Sequence, residues 1–239
     1  MRTALWWLLF LILVAAGYLY GREYVRRHPQ DFPWTELRLG DPVGLFTVRK
    51  LAALGDQPAQ CRALLAQAGV GDLPAPPKSS GADCGYADGM RLGDEGRTVA
   101  FVPAGLVTSC PVAATLVLFE RDVLQPAARR HFGRRAAIID HSGSYSCRRL
   151  YGRLEGEFSE HATADALDII GFRLTDGTQV SVVRDWRSSG PEGRFLREVR
   201  DGSCRLFATV LSPDYNAAHA DHLHLDQAER GRIGGGLCR

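Results

Sequence analysis

Three histidines fall within six residues, His219, His222 and His224, in the stretch NAAHADHLHLD (216–226), although the whole chain has only seven. On a strand, residues two apart share a face, so His222 and His224 present both rings to one cavity. A second polar cluster, SEHATADALD (159–168), carries His161 and Asp168. These two lie seven apart, an odd separation that puts them on opposite faces of an uninterrupted strand. For both to reach one point a turn or bulge must intervene, and Ala162 to Ala164 are the residues available for it. A catalytic zinc site uses three protein ligands of nitrogen and oxygen type and keeps a fourth position open for water. His161, Asp168 and one histidine of the His222-x-His224 pair supply such a set, and the remaining histidine is then free to move a proton. His219 and Ser159 are candidates to hold or orient the ligands. A structural zinc site instead requires a fourth protein ligand, for which His219 and His222 are the nearby choices. The bland alternative is a polar sheet edge that is rich in histidine.

Two strand-like segments must carry these groups. DALDIIGFRL (165–174) and TQVSVVRDW (178–186) are rich in β-branched and apolar residues, with Asp176-Gly177 as a hairpin turn between them, and His222–Asp226 reads as a short final strand. AAIID (136–140) and TVAFV (98–102) read as further strands. Before and between them, PAQCRALLAQAG (58–69) has helical apolar spacing with a glycine stop. The strongest helix runs from Pro111 to Gly133, with Pro126 expected to kink or split it. Another helix is expected within GRFLREVRDGSCRLFATV (193–210). Helices first and a sheet afterwards predict an α+β fold, a small antiparallel sheet carrying the metal site beside an N-terminal helical part.

The first twenty residues differ from the rest. Ala4 to Tyr20 carry no charge and follow Met1-Arg2, which predicts a signal peptide or signal anchor over residues 1–21. Trp6, Trp7, Tyr18 and Tyr20 fall near the ends of the run, where interfacial rings sit, and this favours an uncleaved anchor in the inner membrane. Residues 22–57 read as a linker followed by a short docking segment, PVGLFTVRKLAAL, and residues 58–239 as the main domain. With 45% hydrophobic and 23% charged residues, the chain as a whole is expected to be globular rather than disordered. The net charge of +2 is near balance, and the basic run 129–135 lacks aromatic interleaving, so no nucleic-acid partner is expected.

Six cysteines, at 61, 84, 110, 147, 204 and 238, are scattered without a CxxC pair. In an exported chain this predicts disulfides in an oxidising space such as a periplasm. Cys147 and Cys204 bracket the segment with the first metal cluster, which favours a bridge between them. Arg148, beside Cys147, could then be held to bind a substrate carboxylate or the charge developing on an attacked carbonyl, the alternative being a surface ion pair.

The run S-x-H-x-x-A-x-A-x-D (Ser159, His161, Ala164, Ala166, Asp168) resembles the metal motif of the D-Ala-D-Ala metallopeptidases, which have glycine at the position of Ala164. H-x-x-H-x-H (His219, His222, His224) resembles the second motif of their murein endopeptidase branch. That resemblance implies His161, Asp168 and His224 as zinc ligands and His222 as base or proton shuttle. More of the chain, roughly residues 33–239, resembles the bacterial extensin-like C-terminal domain family, through PWTELRLGDPVGLFTVRKLAAL, SYSCRRLYGRLEG, SEHATADALDIIGF and DHLHLD. Together the resemblances imply a zinc hydrolase-like fold and cleavage of cell-wall peptidoglycan peptide in the periplasm. The competing reading is a non-catalytic module that binds wall polymer or a protein.

Overall fold

The computed structural model describes residues 2–228 and 236–239. Helix α1 (Arg2–Arg27) buries none of its residues against the domain and is long and apolar enough to cross a membrane. Within the segment PVGLFTVRKLAAL, α2 (Thr47–Ala52) seats Leu51 in the core, fully buried, and Leu54 follows it in. α3 (Pro58–Gln67) starts on a proline at its first turn, where the missing N–H costs nothing.

Short ribbons then form a collar. β1 (Leu73–Pro74), β4 (Met90–Arg91) and β6 (Val107–Thr108) make one small sheet, and β2 (Lys78–Ser79) pairs with β3 (Gly85–Tyr86). Between them lies β5 (Ala100–Val102), which belongs to the main sheet. The expected long helix is split. Ser109 caps α4 (Cys110–Phe119) by accepting from the Val112 N–H, a π-helical turn over Glu120–Leu124 follows, and α5 (Gln125–Phe132) ends at Gly133 with φ 64°. Pro126 cannot donate to the helix ladder, and the widened turn just before it absorbs the defect.

The main sheet contains β5, β7 (Ala136–Gly143), β8 (Ala166–Leu174), β9 (Gln179–Ser181), β10 (Thr209–Leu211), β11 (Leu223–Asp226) and β12 (Leu237–Cys238). Along its main path the order is β12-β10-β11-β8-β7-β5, with β9 on β8. Its centre is antiparallel as expected, but β5 pairs with β7 and β10 with β12 in parallel, so the sheet as a whole is mixed. One further expectation is corrected. The strand over TQVSVVRDW stops at Ser181, where Asp185 accepts from the Ser181 N–H and the chain turns into the short helix α6 (Val182–Asp185). The helix expected within 193–210 is α7 (Pro191–Ser203), which ends before Cys204, and Thr209 and Val210 enter β10.

α5 and α7 cover one face of the sheet. Phe195 of α7 stacks edge-on against Phe172 of β8 at 5.3 Å and against Phe132 at 5.4 Å. Against Asp140 and His141 of β7, β8 carries one extra residue between Gly171 and Ile169, and this bulge sets Leu167 and Ile169, both fully buried, on the side of Phe172, so Asp168 between them is turned to the other face. Burying aromatic rings of this size is worth about 2–3 kcal/mol each, and that energy fixes which face of β8 is available for chemistry.

Disulfides join Cys61 to Cys110, Cys84 to Cys147 and Cys204 to Cys238. The expected Cys147–Cys204 bridge is therefore wrong. The parallel pairing of β10 with β12 sets Cys238 beside Val210 and near the end of α7, where Cys204 waits with its Cα 5.7 Å away. Cys147 meets Cys84 at the edge of the β2–β3 ribbon instead, at a Cα separation of 5.5 Å. Three bridges and no free cysteine indicate an oxidising, non-cytoplasmic location.

Candidate metal centre

Strands β8 and β11 are antiparallel neighbours, and their register places His224 directly opposite Asp168. Residues paired this way project to the same side, so the carboxylate and the ring meet without strain. His224 Nδ1 lies 3.0 Å from Asp168 Oδ1. His161 arrives from a 3-10 turn, Glu160–Thr163, whose first N–H groups are capped by the Ser159 hydroxyl accepting from the His161 N–H. Ala164 then takes the left-handed conformation, φ 58°, and reverses the chain into β8. This is the turn that the odd seven-residue spacing demands, and it falls within Ala162 to Ala164.

The result is a buried triad. His161 Nε2 is 3.1 Å from His224 Nδ1 and 3.1 Å from Asp168 Oδ2. Among the described residues these three form the only His/Cys/Asp/Glu group whose ligand atoms all lie within 4.8 Å of one another. Tetrahedral coordination at about 2.0–2.1 Å bond lengths separates neighbouring ligand atoms by about 3.3 Å, so the triad is already close to metal-binding spacing. Two nitrogens and one carboxylate are also the donor set of an open catalytic zinc site, and no fourth protein ligand from the described residues closes it.

Each ring is fixed through its other nitrogen. His161 Nδ1 donates to the Ser144 carbonyl at 2.6 Å, which leaves the Nε2 lone pair for a ligand. His224 Nε2 lies 3.0 Å from the Asp226 carboxylate, which directs Nδ1 toward Asp168 and His161, where a metal would sit. Sequence reasoning missed Asp226, although residues 222, 224 and 226 share one strand face and the HLHLD spacing carried the signal. It could not have found Ser144, whose contribution is a backbone oxygen.

Burial alone would raise the Asp168 carboxyl, but hydrogen bonds from His161 and His224 outweigh it and hold it well below the usual carboxylate range. Burial would likewise lower His224, yet its bonds to Asp168 and Asp226 push it up to about 9. Asp226 is also lowered: burial opposes this, and the bond to His224 prevails. These bonds favour the protonated ring of His224, so a cation that bound there would have to displace a proton.

The other expected residues line a cleft of about 380 Å³ above the triad. His222 sets Nε2 3.5 Å from Asp168 Oδ1 and is oriented by Asp221 on Nδ1 at 2.8 Å. Arg148 reaches to 3.9 Å from Asp168 Oδ2 with its side chain half exposed, so it faces the cleft rather than closing a tight ion pair. His219 meets the ligands through a ring contact, edge-on to His224 at 5.8 Å. It is bonded to Asn216 at 2.8 Å, packs 5.1 Å from the His222 ring, and is depressed to about 4 by burial and by the neighbouring histidines.

No curated protein and no solved structure matches the chain. Residues 59–239, which contain every residue of the centre, match the family described as Extensin-like protein C-terminus. That span is well over half of the 239 residues, and the chain belongs to the Extensin-like protein C-terminus family.

Proposed function

We propose that the protein is a zinc-dependent hydrolase that cuts a peptide or amide bond of cell-wall peptidoglycan in the periplasm, held at the inner membrane by α1. The observation that carries the reading is the open triad of His161, Asp168 and His224, with the two rings locked from behind and a cleft in front. A zinc ion held there would supply Lewis acidity and bring the pKa of water toward neutrality. His222 is placed to take a proton from the nucleophile and return it to the leaving amine, with Asp221 holding the ring in one orientation. Arg148 is placed to bind a substrate carboxylate or the negative charge that develops on the attacked carbonyl. The resemblance of both motifs to the D-Ala-D-Ala metallopeptidases supports the choice of bond, and the apolar helix with three disulfides supports the compartment.

The test is metal content and peptide release from peptidoglycan, measured on full-length protein in detergent for the native chain, His224→Ala and His222→Ala. The expected result is about one zinc per native chain. His224→Ala loses it, while His222→Ala keeps it and turns over about 10²–10⁴-fold more slowly. A native protein that binds no zinc overturns the reading. Bound zinc with no release from any wall fragment supports the wall-binding module instead.

A further inference from the structure

Where α1 leaves its apolar run, a continuous series of rings leads into the domain. Tyr20 stacks on Tyr24 at 6.4 Å, Tyr24 meets Phe32 edge-on at 6.2 Å, and Phe32 lies 5.2 Å from Trp34. The Trp34 side chain is 73% exposed, and no acceptor among the described residues takes its indole N–H. We propose that Trp34 is a membrane seat: its ring lies in the phospholipid headgroup layer and holds the domain against the bilayer surface. The proposal rests on α1 as a membrane span and is independent of the zinc reading.

Height along the helix decides the partner. The uncharged run ends before Arg22, so the edge of the hydrocarbon falls near Tyr20 and Gly21. Tyr24 lies four residues on, about 6 Å further along the axis at about 1.5 Å per residue. A bilayer with about 30 Å of hydrocarbon and about 40–45 Å in all has a headgroup layer of about 5–8 Å on each side. Tyr24 is therefore at headgroup level, and the contacts through Phe32 keep Trp34 beside it. An indole joins an apolar body to a free N–H, which suits a layer that is half apolar and half wet. Charge agrees with a phospholipid partner. Residues 22–27 hold three arginines and one glutamate, Glu23, which pairs with Arg26 and Arg27, so an excess of positive charge is left for anionic headgroups.

Trp34 belongs to the domain rather than to the anchor. Lys50 of α2 donates to the Pro29 carbonyl and to the Thr35 hydroxyl, each at 2.8 Å, and the Phe46 N–H donates to the Gln30 carbonyl at 3.1 Å. These bonds pin both sides of the loop that carries the indole. Contact with the bilayer at Trp34 thus restrains the domain from swinging about the end of α1, while α1 keeps the chain in the membrane.

The test is fluorescence of full-length protein in vesicles of phosphatidylethanolamine and phosphatidylglycerol, with and without bromine on the acyl chains. Trp6→Phe and Trp7→Phe remove the indoles of α1 itself, which leaves Trp34 and the buried Trp186, 4% exposed. Brominated lipid is expected to quench the emission of Trp34, more strongly with bromine near the headgroup than at the chain ends. A further Trp34→Phe is expected to abolish the quenching with the fold unchanged by circular dichroism, because the side chain is exposed. Emission that brominated lipid leaves unchanged, or quenching that survives Trp34→Phe, overturns the proposal. Flotation of the vesicles separates the two readings. Protein that floats with the lipid but is not quenched removes the seat and leaves the anchor standing, whereas protein that does not float removes both.

Discussion

Asp226 is the residue through which the proposed zinc centre is tuned, because its bond to His224 Nε2 leaves Nδ1 to face Asp168 and His161. Asp226→Asn keeps the shape but loses the charge, and outer partners of this kind are worth about 10–100-fold in metal affinity. Competition with a chromophoric chelator is expected to show a loss in that range, with the fold intact by circular dichroism. His224 itself gives a pH signature. Its pKa is raised from 6.5 to about 9, so its contribution to the metal-free fold is complete below pH 6.5 and is lost as pH rises through about 9. Chelator-treated protein should melt at progressively lower temperature from pH 6.5 to 9, and His224→Ala should show no such decline. His219 does not confuse this window, since it titrates near 4. A melting temperature that is flat across the window in chelator-treated native protein would refute the assignment of the stored proton to His224.

At the level of elements, the 159–168 segment shows both how much could be read in advance and where reading stopped. The parity argument required a reversal between His161 and Asp168, and the structure supplies it at Ala164 with φ 58°. A left-handed alanine costs about 1–2 kcal/mol relative to glycine, which accounts for glycine in the resembling peptidase motif. Ala164 is also fully buried, and its methyl returns about 0.8 kcal/mol, while glycine would add unfolded-state entropy worth about 0.4–1 kcal/mol. The terms nearly cancel. Ala164→Gly should therefore change denaturant stability by less than about 1 kcal/mol, and Ala164→Val, β-branched at a positive φ, should cost more than about 2 kcal/mol. Alternation likewise disclosed that His222 and His224 share a face. What it could not disclose was long-range pairing. The parallel partners β5 and β12 are two or three residues long, with no crossover signal of their own, and the Cys204–Cys238 bridge follows from the β10–β12 pairing rather than from order along the chain.

For the whole molecule, two parts are stabilised by different means, and only one of them contains chemistry. The domain buries four phenylalanines completely, Phe119, Phe172, Phe195 and Phe207, and closes its loops with three disulfides. Helix α1 buries nothing, exposes Trp6 and Trp7, and meets the domain only at its C-terminal end, where Tyr24 stacks on His28 at 4.3 Å and contacts Phe32 edge-on. The next anchors are polar: Lys50 donates to the Pro29 carbonyl and to Thr35, each at 2.8 Å, and Asp31 accepts from the Leu45 N–H. Residues 29–50 therefore hold their own geometry without the helix. The free energy of folding of the domain should then be nearly independent of α1, because an exposed helix contributes little beyond its own marginal propensity. Removing residues 2–27 is expected to leave the melting temperature of the domain within about 4 °C, equivalent to less than about 1 kcal/mol for a domain of this size. The same deletion should move the protein from the membrane fraction to the soluble fraction, since an apolar run of this length is what holds a chain in a bilayer. A large drop in melting temperature would mean that α1 packs on the domain and is no membrane anchor.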